Sequence, residues 1–142
     1  MSRFADVPRA QLLRAAFAAG AVTDAVAVVP LTFPSATRLL WGFADLDGAM
    51  RFVMGYGASL MVGWTVLLVW AYRRPLERAF VAALTVLVIY GLIATEILAV
   101  VGGYMPWWRL AGTWILQTAL LALFVGAYHH DWIARRLATT RA

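Results

Sequence analysis

Two carboxylates stand where a lipid-facing helix would exclude them. Asp24 lies in Thr23-Asp24-Ala25-Val26-Ala27-Val28-Val29-Pro30, and Glu96 in Thr95-Glu96-Ile97-Leu98-Ala99-Val100-Val101-Gly102. Placing a charged side chain at mid-bilayer costs at least about 2.5–3.5 kcal/mol, so an acid in such a run reads as functional or as tightly paired. The two stretches also match each other at a constant offset of 72 positions: Thr23 with Thr95, Asp24 with Glu96, Ala27 with Ala99, Val28-Val29 with Val100-Val101, and Pro34 with Pro106.

At a rise of 1.5 Å per residue each acid is about 9 Å below the end of its apolar run, marked by Pro30 and Gly102. Other polar side chains enter the apolar segments from the same side. Tyr56 and Ser59 do so in one run, Thr113 and Gln117 in another, with Arg51 and Arg109 at the mouth and Trp64 and Trp114 deeper. Two acids at one level repel, so either one is protonated or something cationic lies between them. The expected ligand-binding set is Asp24, Glu96, Gln117, Tyr56, Arg51, Thr95 and Trp114, forming a polar pocket open to the outer face.

The chemistry open to this set is of three kinds. It could bind or transport a cation or a small polar or amphipathic ligand. It could act on a lipid or isoprenoid, with Asp24 and Glu96 as an acid/base pair, since positioned carboxyls transfer protons. Or the chain could be a non-catalytic subunit of a membrane redox or transport complex. The competing structural reading is that both acids are hydrogen-bonded to Thr, Tyr or Gln and only fix helix register. His129 and His130 are adjacent, so on a helix they point about 100° apart and chelate poorly. No metal or cofactor is implied, and without Cys there is no disulfide or thiolate site.

The elements that must position these residues are membrane helices. Hydrophobic residues make up 63% of the 142-residue chain and charged residues 13%, with a mean hydropathy of +0.78. That balance lies outside the soluble range. Four apolar runs are long enough to span a bilayer, and the expected helices cover residues 10–31, 51–72, 78–102 and 108–130. Asp6 followed by Pro8 reads as a helix start. Ala25-Val26-Ala27 resembles a signal-peptide cleavage site, but Asp24 inside the run and Pro30 beyond it argue for a retained first span. Between the first two spans, Leu39, Leu40, Trp41 and Phe43 form a small amphipathic patch suited to the interface plane.

The net charge of +5 comes from twelve arginines at the ends of the runs, not from a basic patch with interleaved aromatics, which excludes nucleic acid as a partner. Nine of the twelve lie in the N-terminal segment, the 73–78 turn and the C-terminal tail. By the positive-inside rule both termini are cytoplasmic. The expected fold is therefore all-α: a single four-helix transmembrane bundle with a 2+2 parallel hairpin repeat. Such repeats occur in transporters. Small residues recur at i, i+4 on two helices (Ala16, Gly20 and Asp24; Arg51, Gly55, Ser59 and Gly63), a spacing that permits close helix packing. Ala83, Gly91 and Thr95 lie near one face of a third. The tryptophans near helix ends, Trp41, Trp70, Trp107, Trp108 and Trp132, read as interfacial anchors.

Met50-Arg51-Phe52-Val53-Met54-Gly55-Tyr56-Gly57-Ala58-Ser59-Leu60-Met61-Val62-Gly63-Trp64, continuing to Arg73-Arg74-Pro75, resembles the DoxX-like small bacterial inner-membrane proteins. Those have four spans and a Gly-rich second helix followed by a basic turn. The resemblance implies a multi-pass inner-membrane location and a role beside a membrane redox or transport system; no family catalytic residue maps onto this chain. The expected partners are the bilayer, a small cationic or amphipathic ligand, and a second copy or a larger membrane complex.

Overall fold

The computed structural model describes the backbone of residues 3–43 and 45–139, and the side chains of residues 9–43 and 45–129. The described chain is helical throughout, with no strand. In order come α1 (Arg3–Thr32), α2 (Pro34–Trp41), α3 (Gly48–Arg73), α4 (Phe80–Val101) and α5 (Ala111–Thr139), with a 3₁₀ turn at Trp107–Arg109 before α5. Four helices are long and apolar enough to cross a membrane, over Arg9–Thr32, Gly48–Arg73, Phe80–Val101 and Ala111–His129.

Several boundaries differ from the sequence expectation, each for a local reason. α1 runs back through Pro8 and Asp6 to Arg3, so the acid does not mark its start. α3 begins at Gly48 because the Asp47 carboxylate accepts from the Met50 N–H at 2.7 Å, capping the first turn. α5 continues to Thr139 because nothing after Gly126 breaks it; the tail is rich in Ala, Leu and Arg, all good helix formers. The side chains of His130, Trp132, Arg135 and Arg136 lie outside those described, as does Arg141.

The amphipathic patch is a helix in its own right. Pro34 occupies the first turn of α2, where its missing N–H is no loss, and Gly42 closes it at φ 77°, with its N–H bonded to the Arg38 carbonyl. Pro34 cannot donate to the carbonyl of Pro30, four residues back. The hydroxyl of fully buried Thr37 takes that carbonyl instead, and also donates to the Phe33 carbonyl at 3.1 Å. One threonine thus seals the corner between α1 and α2.

Side-chain contacts fix the helix directions. Gly57 of α3 faces Leu31 and Leu68 faces Gly20, so α1 and α3 run antiparallel. The short reversals at 74–79 and 102–110 make α3 and α4, and α4 and α5, antiparallel too, with the Trp64 indole N–H donating to Thr85 at 3.4 Å across the first pair and Gln117 meeting Glu96 across the second. α1 is the central helix, packing most extensively on α3 and also on α5; α4 packs on α5, while α3 and α4 make little contact. The ends are therefore distinct. One, here the basic end, carries the turn with Arg74, Glu77 and Arg78. The other, the loop end, carries α2 and residues 102–110.

The core lies towards the basic end. Leu13, Ala16, Phe17 and Ala21 of α1 meet Leu68 and Ala71 of α3, Val81, Ala82 and Ile89 of α4, and Leu120, Phe124 and Ala127 of α5. Phe17 and Phe124 are fully buried, with ring centroids 6.1 Å apart. The Arg78 guanidinium lies 3.6 Å from the Trp70 ring centroid and donates to the Trp70 carbonyl, closing the α3–α4 turn. One expectation about packing is corrected. Gly20 is enclosed by Leu68 and Phe124, but Gly55 and Gly63 have nothing within 4 Å of a would-be Cβ. The small-residue stripe of α1 faces its neighbours and that of α3 does not.

Candidate functional site

A tight reversal brings the key residues together. α4 ends with the Gly102 N–H on the Leu98 carbonyl, and Gly103 turns the chain at φ 73° so that the Tyr104 N–H reaches the Ala99 carbonyl at 2.9 Å. Only glycine adopts that left-handed conformation without strain. Met105 and Leu110 tuck under the turn and are buried, and the Trp107–Arg109 turn leads into α5. The result sets Glu96, near the end of α4, level with Gln117, near the start of α5.

Gln117 Nε2 donates to Glu96 Oε1 at 3.0 Å. Gln117 is only 6% exposed. Trp114, three residues earlier on the same face of α5, stands beside the same carboxylate. The arrangement is incomplete. Gln117 Oε1 is buried without a hydrogen-bond partner, and Glu96 Oε2 and the Trp114 indole N–H, which lie close to each other, fall short of a well-formed bond. Buried polar groups are nearly always paired, so a cluster of orphans in one place calls for an explanation. Two of them are acceptors awaiting donors. The third is a donor beside the same carboxylate.

The other expected site residues are placed differently. Thr95 is exposed and its hydroxyl donates to the Gly91 carbonyl of its own helix at 2.9 Å. Tyr56 is 62% exposed, its ring edge-on to Phe52. Arg51 is exposed and opens onto two clefts whose linings include none of Glu96, Gln117 and Trp114. Asp24 is half-buried and forms no hydrogen bond or ion pair among the described residues.

The register of the helices also separates the two acids. Gly20 abuts Phe124, so Asp24, one turn on, is level with Leu120, whereas Glu96 is level with Gln117. Three residues of α5 put Asp24 about 4.5 Å deeper. The estimate of equal depth took Pro30 as the end of the first helix, but α1 carries on to Thr32. α5 packs against both acid-bearing helices, and α1 and α4 touch little.

Sequence reasoning did not single out Thr37, Asp45, Leu46 or Met54, which border the clefts around Arg51. A signal for Thr37 was present: Pro34 strips a hydrogen bond from the Pro30 carbonyl, and a hydroxyl within one turn can replace it. Nothing in the spacing marked the rest, because the walls come from three helices and a loop. Neither a family model, nor a curated protein, nor a solved structure matches this chain.

Proposed function

We propose that the chain is a small multi-pass inner-membrane protein with cytoplasmic termini, whose loop end faces outward and binds a small cation carrying N–H donors. The carrying observation is the half-satisfied Glu96–Gln117–Trp114 cluster. An ammonium group would offer hydrogens to both orphaned acceptors and charge to the carboxylate, the strong class of hydrogen bond. The Trp114 ring adds a face suited to a cation. Asp24, about 4.5 Å deeper on α1, is a second acid below the site, which favours a transport role over simple capture. The sequence match of Thr23–Pro34 with Thr95–Pro106 supports a duplicated hairpin.

The test uses the purified full chain in detergent micelles and reads its thermal shift with three probes. Ethylammonium has charge and donors, tetramethylammonium has charge without donors, and ethanol has a donor without charge. Only ethylammonium should stabilise the protein, and Glu96→Gln and Gln117→Leu should each abolish the shift. Equal shifts with tetramethylammonium, or a shift that survives Glu96→Gln, would overturn the reading.

A further inference from the structure

We propose a second site, separate from Glu96: the cleft between α1, α2 and the start of α3 seats one phospholipid with a phosphoethanolamine head, phosphate on Arg51 and ammonium towards Asp45. Two adjoining recesses make up the cleft. The smaller, about 180 Å³, has Arg51 as its one charged lining residue, against apolar Leu31, Pro34, Leu46 and Met54. The two threonines on its wall have committed their hydroxyl hydrogens, Thr32 to the Val28 carbonyl and Thr37 to those of Pro30 and Phe33. The guanidinium is thus the polar group left to engage a ligand there.

The larger recess, about 290 Å³, shares Arg51 and adds Arg38, Asp45 and Asp47. Asp47 is engaged in capping α3, and Arg38 has a partner of its own. Arg51 and Asp45 have none among the described residues and do not bridge to each other. A cation and an anion on the walls of one cavity, apart and unpaired, are complementary to a zwitterion. A simple anion would meet the Asp45 carboxylate, and a simple cation would meet the Arg51 guanidinium.

Depth selects the occupant. α3 has 26 residues. At 1.5 Å each that is about 39 Å, against a hydrocarbon core of about 30 Å, leaving about 4.5 Å of overhang at each end. Arg51, three residues after Gly48, therefore stands at the hydrocarbon boundary, from which its long side chain reaches the level of the lipid phosphates. Guanidinium pairs with phosphate through parallel hydrogen bonds. The apolar wall of the smaller recess is left for the glycerol and the upper part of the acyl chains.

The experiment is native mass spectrometry of the full chain in dodecyl maltoside, titrated with dioleoyl phosphatidylethanolamine, phosphatidylcholine and diacylglycerol. One phosphatidylethanolamine should be retained per chain. Phosphatidylcholine, whose ammonium has no N–H, should bind about ten-fold more weakly, the loss expected for one charge-assisted hydrogen bond. Diacylglycerol should not be retained. Asp45→Asn should bring phosphatidylethanolamine down to the phosphatidylcholine level, and Arg51→Ala should weaken both about ten-fold or more, with Arg51→Lys intermediate. Arg73→Ala, at the basic end, should change neither. Far-UV circular dichroism of each variant confirms folding, which these exposed positions should not disturb. Equal retention of the two phospholipids, or an Arg51→Ala variant that keeps its lipid, overturns the proposal. So does displacement of the lipid by sodium phosphate, which would make this a free-phosphate site.

Discussion

The Glu96–Gln117 pair offers a double-mutant cycle whose outcome separates a ligand site from a helix-register device. Gln117→Leu removes the donor to Glu96 Oε1, leaving both carboxylate oxygens unpartnered next to a largely buried position. Interhelical hydrogen bonds in bilayers average only about 0.6 kcal/mol. A bond with a charged partner contributes about 1.5–3 kcal/mol, and stranding a buried polar group costs a similar amount. The single variant should therefore lose about 2 kcal/mol, roughly a 30-fold fall in the folded-to-unfolded ratio. Glu96→Leu strands the whole Gln117 amide and should cost about the same. The double variant removes both partners, and with them two of the three orphaned atoms, so it should return to native stability or exceed it. The coupling energy is then about 4 kcal/mol or more. Unfolding in mixed micelles with increasing dodecyl sulfate, followed by far-UV circular dichroism, measures all three. If the double variant is less stable than either single one, the pair exists to hold α4 on α5, and the ligand reading fails with it.

Four further outcomes follow from the packing. Gly20→Ala puts a Cβ 3.0 Å from both Leu68 and Phe124 and should destabilise by about 1 kcal/mol, whereas Gly63→Ala meets nothing and should stabilise by about 0.5–1 kcal/mol in the same micelle assay. A loss at Gly63 would mean that the α3 stripe has a partner. Phe124→Ala empties a fully buried position in the α1–α5 contact and should cost about 3–5 kcal/mol. Thr37→Val uncovers the Pro30 carbonyl and should cost about 1–3 kcal/mol, while Thr95→Val, exposed and bonded only within its own helix, should cost well under that. The chain has no cysteine, so single cysteines report topology without background. A membrane-impermeant maleimide on intact cells should label Tyr104→Cys and leave Arg74→Cys untouched; the reverse would invert the proposed orientation.

The spans were legible because their signal is redundant: each is a long apolar run bounded by arginines or turn residues, and no local detail can override it. The ends were not, because they are set by single hydrogen bonds. Asp47 moves the start of α3 by capping it, and the tail of α5 runs on because no residue stops it. Glu96 and Gln117 could be nominated separately from their polarity. That they meet depends on a reversal built by Gly103, whose left-handed turn brings the start of α5 beside the end of α4. Asp24 shows the limit of motif matching. Its context matches that of Glu96 at Thr, Ala, Val-Val and Pro in one register, yet its helix continues through Pro30, so the same spacing gives a different depth and different neighbours.

The position of the polar residues follows from where the helices converge. Near the basic end, Phe17, Leu68, Val81 and Phe124 occupy one apolar core, and a polar atom there would have to be satisfied by the protein alone. Thr85 is, donating to the Val81 carbonyl and accepting from Trp64. Towards the loop end the bundle loosens. Among the described residues Gln117 is the one buried polar side chain of a spanning helix there, and its carbonyl is left open. A chain selected only to stay folded would pair that group as it pairs Thr85, at a gain of about 1 kcal/mol. The open Gln117 carbonyl and the half-paired Glu96 carboxylate lie beyond that core, at the end where the proposed ammonium ligand would supply the donors.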